Sequence, residues 1–311
     1  MPLTTPTRLL IVDGHAYAYR AFHAIRSLNS PTGAPTNAIY GFIKMLTKMQ
    51  GQLNPSHQVV VWDGGLAAER LAQHPEYKSQ RPPMPTDLEA QLEGADGGGI
   101  IGYLEAAGIA SFCQPGVEAD DWIAAIARQF SSEVSVVIAS SDKDFMQLVS
   151  GRVGILNPND KSEKVWGPDD VRLRTGIDPE QVVDWLALIG DSVDNIPGVP
   201  GVGPKTAADL LKQFGSVQNL VERLAEVKSD RLRASLQSAL EVLRRNLDLI
   251  RLRQDQPNCQ LEDLVPRPAQ VERLRELFTQ WGFRGMLAQV EDAESRNRAQ
   301  SGTRPEQGVL L

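Results

Sequence analysis

Four short runs of consecutive apolar residues punctuate the first half of the chain: LLIV (9–12), VVVW (59–62), IASFC (109–113) and VSVVIA (134–139). Continuous rather than alternating apolar character marks strands buried on both faces, as in a parallel sheet. Between the runs, apolar positions recur at helical spacing, most plainly over 36–50 and 119–130. Strands alternating with helices predict an α/β fold built on a mostly parallel sheet flanked by helices. Past about residue 165 the pattern turns helical, over 179–189, 204–214, 217–226, 230–250 and 269–281. From 291 to 311 the chain is polar, with scattered Arg and Gly, which predicts a disordered tail. One stretch breaks the rhythm: GADGGGIIG (94–102) puts five glycines into nine positions that would otherwise read as helix.

Acids stand where the strands end. Asp13 follows the first run and Asp63 the second. The third leads through Gln114-Pro115-Gly116 to Glu118, Asp120 and Asp121, and the fourth runs into Asp142 and Asp144. Ligands of α/β folds bind beyond the carboxyl ends of the strands, so these seven carboxylates are expected on one edge. LIGDSVDNIPG (188–198) adds Asp191 and Asp194, three apart and able to face the same way on a helical turn. Singly, such acids read as helix-start or turn residues. Together, nine carboxylates in one cleft would suppress one another's ionisation. Hard divalent cations resolve that conflict, and an all-oxygen donor set selects two Mg²⁺ (or Mn²⁺).

Charge then has to be read differently. The 311 residues carry 32 basic and 39 acidic side chains, a net charge of −7, which on its face argues against a polyanionic partner. With the nine clustered acids set aside, 32 basic groups face 30 acidic ones, and nucleic acid is no longer excluded. Length and a 41% hydrophobic content allow two domains of an ordinary globular protein. Cys113 and Cys259 show neither a disulfide framework nor a zinc spacing. The opening MPLTTPTRLLIVDGH holds too short an apolar run for a signal peptide, and no stretch approaches the ~20 apolar residues of a membrane span. A cytoplasmic location and no membrane partner are expected.

Two further segments suit a phosphate backbone. GVPGVGPKTAADLLKQFG (198–215) is a Gly-rich turn leading into a helix, with Pro204 at its first position and Gly215 just past its end. Its small residues let a phosphate approach backbone N–H groups, with Lys205 adding charge. HPEYKSQRPPMP (74–85) reads alone as an exposed loop. Beside a metal cluster, Lys78 and Arg81 would hold phosphates and Tyr77 would stack on a base. Arg20, seven residues after Asp13 and about two helical turns on, would reach the same phosphate. His15, His23, His57 and His74 share no spacing and read as structural or surface residues.

In order and spacing, IVDGHAYAYRAFHA, GFIKMLTKM, YKSQRPPMP, GVEADD, SSDKDFMQLV and GDSVDNIPGVPGVGPKTA resemble the 5′-nuclease (5′–3′ exonuclease/flap endonuclease) domain of bacterial DNA polymerase I, over roughly residues 8 to 290. The resemblance implies a PIN-like catalytic domain over 1–165, with an arch segment at about 66–105. A helical DNA-binding domain with a helix-hairpin-helix (H3TH) follows over 166–290. It implies metal ligation by the nine acids, and phosphate-holding roles for Lys78, Arg81 and Arg20. DNA contacts would come from Tyr77, Arg70, Gly198, Gly201, Val202, Gly203, Lys205 and Thr206, with K⁺ at the hairpin. Glu118, Asp120, Asp142 and Asp13 would be inner ligands; Asp121, Asp191 and Asp194 would act through water. The implied partners are DNA with a 5′ end or flap at a duplex junction, RNA primer–DNA, and a DNA polymerase. Two departures bear on the arch. Only Arg70 survives of the family's Phe-Arg-x-Glu, and the glycine-rich 94–102 replaces a regular helix. The rival readings are a PIN-type ribonuclease, which would not require the hairpin, and a non-catalytic junction-binding protein, which would be expected to lack some of the acids.

Overall fold

The computed structural model describes residues 7–94, 97–254 and 259–301, with side chains as far as 295. Along the chain, β1 (Arg8–Asp13) feeds α1 (Gly14–Ala24) and α2 (Asn37–Leu53). Next come β2 (His57–Val61), α3 (Ala68–Gln73), α4 (Thr86–Glu93), α5 (Ile100–Ala106) and β3 (Ala110–Phe112). The chain then forms α6 (Ala119–Phe130), β4 (Ser135–Ala139), β5 (Val153–Leu156) and β6 (Val165–Trp166). The helical part holds α7 (Pro168–Thr175), α8 (Val182–Ile189), a two-residue ladder of β7 (Gly190–Asp191) and β8 (Ile196–Pro197), then α9 (Pro204–Phe214) and α10 (Val217–Glu222). It ends with α11 (Asp230–Ser238), α12 (Leu240–Ile250), α13 (Val271–Trp281) and α14 (Arg284–Ser301).

Two compact units share this chain. The first takes the residues up to 17, 49–84 and 110–265; the second takes 18–48, 85–109 and those from 266 on. This division cuts across the 1–165 and 166–290 split read from the sequence, and it parts the 66–105 segment near residue 84. The second unit has a core of its own, in which Leu88, Ile100, Leu104 and Leu277 are fully buried. Gln91 ties it together by accepting from the backbone N–H of Ala38 (2.8 Å) and donating to Asn37 Oδ1 (3.1 Å).

The first unit holds a six-stranded sheet in the order β3-β2-β1-β4-β5-β6, parallel except for β6. Ile11 lies opposite Val59 on one side and Ile138 on the other, and Leu9 to Val12 are wholly buried. Burial on both faces is what the unbroken apolar runs demand. Successive strands step outward from β1 to β3, and the chain then returns to lay β4 beside β1 on the other flank. That reversal is a topological switch point, where a crevice opens beyond the carboxyl ends of the strands.

Four local features differ from the sequence pattern. Strands β5 and β6 have no counterpart in the apolar pattern, because four residues with an internal glycine and a two-residue edge strand carry almost no periodic signal. The 230–250 helix is two helices parted at Ala239 (φ −102°, ψ 9°), and no Gly or Pro marks the break. The glycine stretch separates α4 from α5. A Cβ on Gly94, Gly99 or Gly102 would sit 2.2, 2.4 or 1.7 Å from backbone atoms of the same turn, so the chain folds back more tightly than a side chain permits. Finally, the polar tail continues as α14 to Ser301, anchored by buried Met286 and carried on by helix-forming Ala, Glu, Gln and Arg. The remainder of the 291–311 segment lies outside the described residues. Among the described residues, no helix is long and apolar enough to cross a membrane.

Candidate active site

Because β1 to β4 are adjacent and the pairs β3–β2–β1–β4 run parallel, their carboxyl ends open on one edge. Asp13, at the end of β1, accepts from the Ala16 N–H (3.1 Å) and from Ser140 Oγ just beyond β4 (2.7 Å), which pins the two strand ends across the switch point. Asp63 follows β2 and accepts from the Gly65 N–H (2.8 Å). Asp142 begins the 3-10 turn Lys143–Leu148 by accepting from the Asp144 N–H (2.9 Å). From the helical part come Asp191, in β7, and Asp194, in the loop after it. The cleft so formed, of about 400 Å³, is lined by Asp13, Asp63, Asp120, Asp142, Asp191 and Asp194, with His15, Lys78, Arg81 and Lys143 among them.

Asp144, Asp191 and Asp194 each present a carboxylate oxygen within 4.8 Å of the others, and all three are buried. Asp144 Oδ1 has no hydrogen-bond partner despite its burial. An unpartnered buried oxygen within a triad of like charges is a donor set short of a cation. These residues fit a hard divalent ion. Burial raises the carboxyls of Asp13, Asp63 and Asp194. It raises Asp142 to about 7, aided by Asp120, Asp194 and Asp13, and it holds Asp144 well above its usual range, with Asp142 adding to the effect.

The sign of the resulting stability effect follows. Between about pH 4 and 7 the folded, metal-free protein binds protons that the unfolded chain has released, so its stability falls as pH rises through that window. Saturating Mg²⁺ or Mn²⁺ should remove the loss by neutralising the acids. At pH 8, Mg²⁺ at a hundredfold excess over its Kd should stabilise the fold by about 2.7 kcal/mol. Thermal melts with Mg²⁺ and with EDTA from pH 5 to 8 test this; identical melts throughout would contradict it.

Not all nine acids face the cleft. Asp121, read from the sequence as a metal ligand, turns away: Oδ1 and Oδ2 each accept from Arg70 at 2.8 Å, and Oδ1 also accepts from the Arg253 N–H. Glu118, expected as an inner ligand, is 1% exposed. It accepts from Arg70 Nη1 (2.8 Å), Tyr77 Oη (3.2 Å) and Lys78 Nζ. Burial pushes its carboxyl up, but Lys78 and Arg70 outweigh burial and bring it down to about 2.

The basic segment also departs from the exposed loop expected of it. Tyr77 is 2% exposed and offers no face for a base to stack on; Arg70, at 1%, cannot touch DNA. Both are drawn inward because Glu118 and Asp121 need buried donors. Lys78 lies in the cleft wall, 3.5 Å from Asp120, its ammonium 4.9 Å from the Tyr77 ring centre. Its φ of +55° is left-handed, a conformation held by the bond from its N–H to the Asp194 carbonyl (3.0 Å). Arg81, more exposed, donates to Asp194 Oδ1 at 2.5 Å. Arg20 is half-buried on α1, in the second unit.

The Gly-rich turn stands between α8 and α9. Gly198 packs so closely that a Cβ would meet the Ile189 carbonyl carbon at 2.3 Å, and Gly201 takes a left-handed φ of +81°. Gly201 and Gly203 are open, with nothing within 4 Å of where a Cβ would sit, while Lys205 is exposed and Thr206 half-buried. Val202 is buried, so its side chain anchors the turn and cannot contact a ligand. Three residues at this edge fall outside the site predicted from the sequence: Ser140, Lys143 and His15, the last of which reads there as structural or surface. Lys143 lies 3.2 Å from Asp191, and the His15 Nδ1 accepts from the Asp63 N–H at 3.1 Å. Only for Lys143 was there a signal, its place between two acids.

Fold and cleft define a class: α/β proteins that gather carboxylates at the switch point of a parallel sheet, here with a helical hairpin appended. The chain belongs to the 5′–3′ exonuclease family. Residues 8–176 match the family model for the 5′–3′ exonuclease N-terminal resolvase-like domain, and 177–272 the model for the C-terminal SAM fold. A 5′–3′ exonuclease of Aquifex aeolicus is 36% identical over 91% of this chain and 95% of its own length. DNA polymerase I of Bacillus caldotenax is 35% identical over 93% of this chain, which spans 33% of that polymerase. Among solved structures, a bacteriophage T5 flap endonuclease in a pseudo-enzyme–product complex with DNA and metal ions superposes with a TM-score of 0.65. It shares 22% identity, over 92% of this chain and 99% of that one. The catalytic core of Rad2 with DNA substrate gives 0.59 at 17% identity, over 89% of each chain. These two likenesses show the fold.

Proposed function

We propose that the protein is a divalent-metal-dependent 5′–3′ exonuclease and 5′-flap endonuclease that hydrolyses DNA phosphodiester bonds to a 5′-phosphate and a 3′-hydroxyl. The observation that carries this reading is the meeting of acids from separate strand ends with Asp191 and Asp194 in a cleft that also holds Lys78 and Arg81. Two groups of side chains would hold metal: Asp144, Asp191 and Asp194, and Asp13, Asp63, Asp120 and Asp142. Bound there, Mg²⁺ or Mn²⁺ would lower the pKa of a water and stabilise the charge of an in-line displacement.

The chain's own residues do the rest. Arg81 and Lys78 offer donors for the anionic oxygens of the phosphate, acting where water is partly excluded and a donor is worth most. Glu118 keeps Lys78 charged and aimed. The open turn at Gly201 and Gly203, with Lys205, takes up the phosphate backbone of the duplex at the N-terminus of α9, and a K⁺ ion would fit between hairpin carbonyls and phosphate. The loop between α8 and α9 carries acids at one end and glycines at the other, which supports coupling of duplex binding to the cleft. Residues 1–165 would then be the nuclease domain and 166–290 the DNA-binding region, acting in the cytoplasm on 5′ ends, flaps and RNA primers beside a DNA polymerase.

A labelled 5′-flap duplex should be cut with Mg²⁺ and left intact with EDTA. Equal signal in both conditions, or cutting of single-stranded RNA alone, would overturn the reading.

A further inference from the structure

His15 lines the acidic cleft, yet neither the metal-holding acids nor the phosphate-holding cations use it. Its Nδ1 accepts a hydrogen bond from the backbone N–H of Asp63 at 3.1 Å, and its ring meets the Trp62 ring edge-on, centres 5.4 Å apart. A nitrogen that accepts carries no proton, so the neutral ring holds its proton on Nε2. That assignment excludes two roles. A protonated Nε2 has no lone pair with which to ligate a cation, and none with which to take a proton from water. What remains is a single donor. Nε2 has no hydrogen-bond partner among the described residues, and it is not among the buried unpartnered atoms, so it stays accessible. The other charged groups lining the cleft are carboxylates and cations already paired with them.

We propose that His15 is a further catalytic residue, whose Nε2–H donates to a non-bridging oxygen of the substrate phosphate while Nδ1 holds the end of β2. The assignment rests on the nuclease reading of the same cleft. No carboxylate of the cleft accepts from Nε2, which leaves the phosphate as its acceptor, and the imidazole adds a donor without adding charge. Its orientation is fixed before substrate arrives, because Asp63 sets the tautomer and Trp62 the ring plane.

Two measurements test it. In ¹⁵N-labelled protein at pH 8 the four histidines are few enough to resolve. His15 should show the Nε2-protonated tautomer, and a 5′-flap duplex in Ca²⁺ should shift its Nε2 resonance while leaving His23 in place. A proton on Nδ1, or no shift with DNA bound, overturns the proposal without any variant. Single-turnover cleavage in Mg²⁺ is the second measurement. His15→Asn keeps an acceptor for the Asp63 N–H but loses the Nε2 donor, so its rate should fall on the order of 10- to 100-fold with little change in Tm. A His15→Asn rate within about twofold of wild type would leave only the strand-end anchor and overturn the phosphate contact. If the wild type cuts no flap, the nuclease reading fails, whereas the tautomer measurement still decides the local geometry.

Discussion

Asp142→Asn should lower cleavage of a 5′-flap duplex by at least about 10³-fold, leave DNA affinity unchanged or improved, and raise the Tm of the metal-free protein. The three effects have one cause. Asp142 lies where Asp13, Asp120 and Asp194 all press on its charge, and burial with that repulsion raises its carboxyl to about 7. The amide keeps the shape and the acceptor for the Asp144 N–H but removes one anion. Metal loses a donor, so activity falls. The DNA backbone meets one negative charge fewer, so affinity does not fall. The unliganded fold sheds a repulsion that costs it stability at neutral pH, so it melts later, on the order of 5 °C. Single-turnover rates in Mg²⁺, anisotropy in Ca²⁺ and melts in EDTA read each effect separately. An active variant, or one that melts earlier in EDTA, would contradict the account.

Much of this site could be read from spacing, for a physical reason. Parallel strands buried on both faces show as unbroken apolar runs, and the residue after each run must stand on one edge of the sheet. Asp13 and Asp63 follow their runs directly and Asp142 closely, and with Asp120, at the start of α6, they line the cleft; the hairpin is as legible, from Pro204 at the helix start and Gly215 at its end. What stayed hidden was the direction in which neighbouring acids face. Asp120 and Asp121 are consecutive, yet the first lines the cleft and the second points at a guanidinium. On a helix, adjacent residues differ by about 100° in direction, and no rule of spacing names the partner that waits behind. That partner, Arg70, is 51 positions away in sequence. The same blindness turned Tyr77 into a surface ring: a Pro-rich, charged segment reads as an exposed loop unless the buried acids that draw it inward are already known. His15 reads as a structural or surface residue because its place is set by one backbone N–H beyond another strand end, which no spacing shows.

Arg70→Met should destabilise the protein by about 3–5 kcal/mol at neutral pH, the largest stability loss expected of any substitution near the cleft. The guanidinium is 1% exposed and donates to Glu118 and, in a fork, to both oxygens of Asp121. Removing it leaves Asp121 buried with the Arg253 N–H as its remaining donor, and Glu118 with Lys78, Tyr77 and the Ala67 N–H. Arg70→Lys keeps the charge without the fork and should fall between the two. Asp121→Leu combined with Arg70→Met should recover much of the loss, since a buried pair replaced by apolar groups of similar size is often close to neutral. Urea unfolding of the wild type, Arg70→Met, Asp121→Leu and the double variant, analysed as a double-mutant cycle, measures the coupling. Additive losses would mean that the pair does not act as one. The cycle also separates the two adjacent acids in function. If Asp121 serves the fold through Arg70 while Asp120 serves the cleft, Asp121→Asn should keep far more cleavage than Asp120→Asn. Equal inactivation would return Asp121 to the metal-holding set.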